Sequence, residues 1–154
     1  IRKLILNNKS DFNKNTDLLL YMAARSENID LIKNSYKKKV ILIDRFTDST
    51  IAYQHYGMGV SINLIKTLNK FLLKNINVDF TFLNIVNRKN LYERLKKRKS
   101  LNRYDRFDMN FYNKVQNGFI RLSKLKENKY KLINSNLNIK NNENLILRIV
   151  DKLI

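Results

Sequence analysis

Residues 39–46 read Lys-Val-Ile-Leu-Ile-Asp-Arg-Phe, and no other stretch narrows the fold as much. Val40, Ile41, Leu42 and Ile43 form an unbroken apolar run in which all but one residue is β-branched. A run this short and this apolar reads as a strand buried on both faces, the kind found in parallel sheets covered by helices on either side. It ends abruptly in a carboxylate and a guanidinium. In open parallel sheets, ligands sit at the carboxyl ends of strands, so Asp44 and Arg45 mark the first place to look for chemistry.

The surrounding periodicities agree with such a sheet. Residues 16–37 repeat Leu19, Tyr21, Met22, Ile29 and Ile32 near helical spacing, with Thr16 as the expected N-cap and Lys37, Lys38 and Lys39 suiting a helix C-terminus. Residues 63–73 place Leu64, Ile65, Leu68, Phe71 and Leu72 on one side of another helix. Residues 79–86 read as a second strand, 88–99 as a very basic helix, 111–125 as a longer helix, and 130–133 as a third strand. An Asn-rich loop and a terminal helix over 144–153 complete the chain. Strands alternating with helices predict an α/β fold, a three-layer parallel sheet flanked by helices with right-handed crossovers. No linker or internal repeat interrupts the chain, so residues 1–154 are expected to form a single domain.

Composition removes some classes. A chain of 154 residues, 44% of them hydrophobic, is able to bury a real core, about two-thirds of its unfolded surface. Cys is absent, which leaves no disulfide framework and no thiolate metal site and suits a reducing, cytoplasmic setting. The apolar runs stop far short of a membrane span, and no secretory signal pattern opens the chain. It begins with Ile1 rather than Met, which suggests a fragment of a longer protein. The net charge of +18 raises nucleic-acid binding as an alternative, because clustered cations release counterions from a phosphate backbone. However, Lys, Asn and Ile are abundant throughout, and no basic strip interleaves with stacking aromatics. That pattern reads as compositional drift over solvated helix faces.

Four apolar residues followed by Asp have the shape of a strand whose carboxylate helps hold Mg²⁺ against nucleotide phosphates. The adjacent Arg45 is suited to gripping a phosphate with a two-pronged hydrogen bond. Taken alone, the same residues also describe an ordinary strand leading into an exposed ion pair.

The residues beyond Arg45 distinguish the two. Asp44-Arg45-Phe46-Thr47-Asp48-Ser49-Thr50-Ile51-Ala52-Tyr53-Gln54 closely resembles the thymidylate kinase pattern of Asp-Arg-aromatic, then Ser, then Ala-Tyr-Gln. Upstream, Leu18-Leu19-Leu20-Tyr21-Met22-Ala23-Ala24-Arg25 resembles the same family's helix carrying an aromatic and an Arg. Downstream, Arg94-Leu95-Lys96-Lys97-Arg98-Lys99-Ser100-Leu101-Asn102-Arg103-Tyr104-Asp105 resembles the family's arginine-rich lid, here about residues 94–108. The resemblance spans essentially the whole chain.

It implies a P-loop NTPase fold of the nucleoside monophosphate kinase kind, with ATP and Mg²⁺ as cofactors, dTMP as acceptor, and a homodimer in the full-length protein. Tyr21 would stack on thymine, and Arg25, four residues on and so on the same helix face, would hydrogen-bond the thymine edge. Arg45 would bind the dTMP phosphate, while Asp44 would support the metal indirectly. Phe46, Ser49, Thr50, Tyr53 and Gln54 would line the base and sugar pocket. In the lid, Arg98 and Arg103 would reach the transferring phosphoryl and Arg94 would stack on adenine. Arg103 is preferred over Arg106 because that register keeps the family's spacing to Phe111 and Phe119; it places Asn102 and Asp105 where the family carries Asp and Glu. Most of the lysines are expected to be solvated.

The three glycines, Gly57, Gly59 and Gly118, form no Gly-x-x-x-x-Gly-Lys-[Ser/Thr] pattern. The family's phosphate-binding loop and first strand lie upstream of the region matched here, and residues 1–6 match the helix that comes after them. The expectation is therefore a fold lacking its first two strands, weakly stable and inactive by itself. A related deoxynucleoside or nucleotide kinase is the nearer alternative and a basic nucleic-acid-binding module the farther one. His55, the sole histidine, reads as a surface or packing residue.

Overall fold

The computed structural model describes residues 1–35 and 39–154. They fall into two compact units, one comprising residues 1–77 and 100–119, the other residues 78–99 and 120–154.

The first unit opens with helix α1 (Arg2–Leu6) and the long helix α2 (Lys14–Ser35). Asn13, not Thr16, caps α2: its side-chain oxygen accepts from the backbone N–H groups of Asn15 and Thr16, both at 3.0 Å, satisfying donors that the first turn cannot. The cap, and with it the helix start, therefore lies three residues earlier than a cap at Thr16 would place it. Its expected end at Lys37 and Lys38 lies outside the described residues. Helix α3 (Thr47–Thr50) runs straight into a π-helical segment, Ile51–Gly57, and helix α4 (Ile62–Leu73) comes next. Leu18 and Met22 of α2 pack against Val60 and Ile65, with Ile51, Leu68 and Leu72 around them. Each such buried side chain contributes roughly 1.5–3 kcal/mol relative to exposure.

A second cluster joins Ala52 to Phe111 and Val115 of helix α6 (Met109–Leu125), whose residues up to Phe119 belong to this unit. Gly57 is required there: a Cβ at this position would lie 2.6 Å from the Phe111 ring. A 3₁₀ turn, Arg103–Arg106, precedes α6 and carries a capping box. Asn102 accepts from the N–H groups of Tyr104 and Asp105, and the Asp105 carboxylate accepts from the Asn102 N–H.

The second unit contains strands β1 (Thr81–Ile85) and β2 (Tyr130–Asn134), paired in parallel with Thr81 opposite Tyr130 and Ile85 opposite Asn134. Leu83 and Ile133 are buried. Helices α5 (Arg88–Lys96) and α7 (Ile139–Leu153) accompany the strands, and Asn87 and Asn138 cap them through their side chains.

The first of the three expected strands does not form. Residues 40–43 form no strand; they lie in irregular backbone, with Val40 62%, Leu42 88% and Ile43 43% exposed. A strand exists only through the hydrogen bonds of a neighbour. Among the described residues β1 and β2 pair with each other, and nothing pairs with 40–43. The residue pattern is a strand's, but pairing is a non-local condition that the pattern does not contain. Among the described residues, no helix is long and apolar enough to cross a membrane.

Candidate active site

The site is built from two segments that α2 brings together. Asp17, Tyr21 and Arg25 recur every four residues and so share a face of α2. Opposite them stand residues 44–54, where the chain turns from the exposed apolar run into α3.

That turn is strained at one residue. Arg45 has φ of 67°, in the left-handed region that β-carbon sterics disfavour in all residues except glycine. Strain of this kind persists only where surrounding contacts hold it. Here the Arg45 guanidinium lies over the Tyr53 ring, 5.0 Å from its centroid. The next residue, Phe46, is clamped from the other side. Arg25 donates to the Phe46 carbonyl at 3.1 Å, to the Thr50 hydroxyl at 2.7 Å and to the Asn69 side-chain oxygen at 2.9 Å, and its guanidinium stands 5.4 Å from the Phe46 ring centroid. Burial lowers the Arg25 pKa to about 10, with Asp48 opposing the shift; it remains a cation at neutral pH.

Behind Tyr21 and Tyr53 sits Tyr104, edge-on to both at 6.1 and 5.9 Å between ring centroids. Its hydroxyl donates to Asp17 Oδ2 at 2.7 Å and accepts from Gln54 Nε2 at 3.3 Å. The other Asp17 oxygen accepts from Arg103 at 2.6 Å, and Arg103 also donates to the Phe12 carbonyl at 3.0 Å. Asp17 is completely buried, Gln54 and Tyr104 nearly so. Burial pushes the Tyr104 phenol well above its ordinary pKa, with Tyr21 and Asp17 adding to the effect, and burial likewise raises Tyr21. Both rings are neutral phenols at physiological pH.

A cleft of about 430 Å³ adjoins this network, lined among others by Phe12, Lys14, Asp17, Arg103 and Arg106. None of Tyr21, Arg25 and Arg45 lines it. In that group, Arg25 and Arg45 close directly onto Phe46 and Tyr53.

Of the residues singled out from sequence, Tyr21, Arg25, Arg45, Phe46, Thr50, Tyr53, Gln54 and Arg103 thus converge in the first unit. Asp44 is exposed beside Arg45, and Ser49 is half-buried in α3. Arg94 and Arg98 belong to the second unit, where Arg94 donates to the Ser135 carbonyl at 2.6 Å. His55 contacts the Val60 carbonyl at 2.8 Å and the Tyr56 ring, a packing role. Asp17 and Asn69 escaped sequence reasoning. For Asp17 the signal was present, since it precedes Tyr21 by the same four residues that separate Tyr21 from Arg25. Asn69 left none, being one polar residue among many on a helix.

Comparison with known proteins decides the family. The sequence model of the thymidylate kinase family matches residues 1–146. The chain belongs to the thymidylate kinase family. It is 36% identical over 130 residues to the thymidylate kinase of Thermosipho africanus, covering 83% of this chain and 64% of the relative. To that of Wolbachia pipientis wMel it is 34% identical over 155 aligned positions, covering 99% and 76% respectively. The crystal structure of thymidylate kinase from Ehrlichia chaffeensis superposes with a TM-score of 0.72 at 28% identity, over 93% of this chain and 67% of that one. The fold is accordingly the α/β fold of the P-loop nucleoside monophosphate kinases. The chain spans roughly two-thirds of the length of the relatives it matches, between 61% and 76% of those of Thermosipho, Kosmotoga and Wolbachia.

Proposed function

We propose that this chain supplies the acceptor-nucleotide pocket and lid of a thymidylate kinase, in which the γ-phosphoryl group of ATP passes to dTMP to give dTDP and ADP. The observation that carries the reading is the Arg25 clamp. It ties the aromatic-plus-arginine helix to Phe46 and Thr50, in the segment that follows the Asp44-Arg45 turn. An aromatic face beside a fixed donor fork suits an uncharged pyrimidine carrying carbonyl oxygens.

In this reading Tyr21 stacks on thymine, while Thr50, Tyr53 and Gln54 border base and sugar. Four N–H groups of Arg25 face Met22, Asn69, Phe46 and Thr50, so a thymine carbonyl is met by its Nε–H or by exchange with Thr50. The guanidinium of Arg45, over the Tyr53 ring, takes the dTMP phosphate. A phosphate oxygen of dTMP attacks the γ-phosphorus as the bond to the β–γ bridging oxygen breaks, and the electron pair leaves on ADP. The acceptor is already anionic, so no strong general base is needed; catalysis is positioning and charge stabilisation.

Among the described residues no group of three His, Cys, Asp or Glu side chains gathers as a metal cage. The lone carboxylate of Asp44 suits Mg²⁺, which is commonly held by one or two carboxylates and the substrate phosphates, with waters between. When bound, Mg²⁺ would neutralise phosphate charge. Arg94 and Arg98 are the proposed lid cations on the ATP side; Arg103, expected with them from the sequence, instead spends its guanidinium on Asp17 and the Phe12 carbonyl. A cytoplasmic homodimer belongs to the same reading and is tested by sedimentation.

The test is calorimetric titration of the chain with dTMP, dUMP, dCMP and thymidine, alongside dTMP-dependent ADP formation by the complete gene product. Selective dTMP binding and turnover are expected. Preference for another nucleotide or for a nucleoside would reassign the substrate, and binding only to nucleic acid would end the kinase reading.

A further inference from the structure

We infer that Asp17 is a positioning residue for the nucleotide pocket: its buried carboxylate docks the Arg103–Arg106 turn onto α2 and thereby fixes the Tyr104 ring behind Tyr21 and Tyr53. The inference rests on the proposed reading of Tyr21 and Tyr53 as pocket residues and assigns a role to two residues outside it, Asp17 and Tyr104.

The geometry is a two-handed grip. One Asp17 oxygen receives Arg103 at 2.6 Å and the other receives the Tyr104 hydroxyl at 2.7 Å. These donors are consecutive residues of a 3₁₀ turn whose capping box already holds its backbone, so gripping two side chains fixes the turn as a body. The carboxylate is fully buried and the Arg103 side chain is 14% exposed, so neither charge is relieved by water if the other leaves. A buried pair of this kind is strongly destabilised when one partner is removed. Arg103 is thus held as a clamp, its second nitrogen committed to the Phe12 carbonyl. Tyr104 transmits the grip: held through its hydroxyl, its ring meets Tyr21 at 71° and Tyr53 at 68°, both edge-on. Gln54, on the π-helical segment, completes the chain by donating to the same hydroxyl. The rings that would face the nucleotide are therefore supported by one carboxylate that need not touch it. Outer supports of this kind shift affinity at a site without contributing a contact.

The experiment compares dTMP affinity by calorimetry for the wild-type chain, Asp17→Asn and Tyr104→Phe. A control, Leu83→Ala in the other unit, is destabilised without touching this network. Asp17→Asn is expected to weaken dTMP binding roughly tenfold or more, on the scale seen when outer partners of ligating groups are removed. Tyr104→Phe keeps the ring, loses one hand of the grip, and is expected to weaken binding several-fold. Leu83→Ala is expected to melt earlier with unchanged affinity. If Asp17→Asn does not fold, Tyr104→Phe carries the test. Wild-type binding of dTMP with unchanged affinity in the folded variants overturns this inference alone. Absence of wild-type dTMP binding overturns the proposed function with it.

Discussion

Arg25 and Thr50 meet at 2.7 Å, guanidinium to hydroxyl, across 25 residues of chain, and that bond is one tine of a fork no other side chain reproduces. Lysine keeps the charge but offers a single flexible ammonium, unable to reach Asn69, Phe46 and Thr50 together. Arg25→Lys is expected to lower stability by about 1–3 kcal/mol, through buried acceptors left unpaired, and to weaken dTMP binding about tenfold. Urea denaturation and calorimetry read the two effects separately. Wild-type values in both would refute the clamp.

The left-handed backbone at Arg45 inverts a familiar order of substitutions. At most positions alanine is tolerated better than glycine. At φ of 67° glycine alone is unstrained, so Arg45→Gly should be more stable than Arg45→Ala by about 1–2 kcal/mol. Both variants lose the guanidinium over Tyr53, which cancels in the comparison. Both should also lose affinity for dTMP while retaining weak binding of thymidine, which has no phosphate. Equal melting temperatures for the pair would show that the turn relaxes when the side chain is gone.

Gly57 tests the packing around Ala52 and Tyr53. A methyl group there meets Phe111 at 2.6 Å and Val115 at 3.0 Å, both in the cluster around Ala52 and Tyr53. Gly57→Ala is expected to destabilise the chain by about 1–3 kcal/mol, as overpacked cores do. Gly57→Ala combined with Phe111→Leu should recover part of that loss in the same denaturation experiment. Additive losses would show that the clash lies elsewhere.

Two buried phenols make the alkaline limb of stability diagnostic. Tyr104 and Tyr21 are raised above the ordinary value of 10.0, so the folded chain keeps their protons at a pH where the unfolded chain loses them. Their contribution is full below pH 10 and declines above it, by about 1.4 kcal/mol per pH unit for each group. Arg25, lowered from 12.5 to about 10, acts oppositely: it deprotonates first in the folded state and recovers stability between those values. Tyr104 carries the larger of the two phenol shifts and sets the trend, so stability should fall above pH 10, and Tyr104→Phe should flatten the decline. Near-ultraviolet tyrosinate absorbance should likewise show one late-titrating ring fewer in Tyr104→Phe. A superimposable titration in the variant would place Tyr104 in water.

Where periodicity alone decides structure, the chain is legible in advance. Helix α4 and strands β1 and β2 form where the pattern places them, and Ile65, Leu68 and Leu72 do pack inward; Leu64 and Phe71, expected on the same side, are exposed, because spacing marks a stripe without fixing how wide its cover is. The Asp44-to-Gln54 motif likewise points to residues that do converge on Tyr21 and Arg25. Three features depend on information held elsewhere in the chain. Residues 40–43 need a neighbouring strand. The start of α2 depends on which of two nearby polar residues takes the capping geometry, and Asn13 does so. Asp17 looks like an ordinary first-turn acid until Arg103 and Tyr104, more than 80 residues away, arrive at its two oxygens.

The π-helical stretch Ile51–Gly57 behaves as a one-residue insertion absorbed without a loop. Deleting a single residue within it would restore ordinary helical winding and rotate the side chains on one side of the cut by about 100° relative to those on the other. Tyr53 and Gln54 would then swing away from their present neighbours with the composition of the segment almost unchanged. Length, more than residue identity, is what this segment encodes, and indels there should be tolerated less well than most point substitutions.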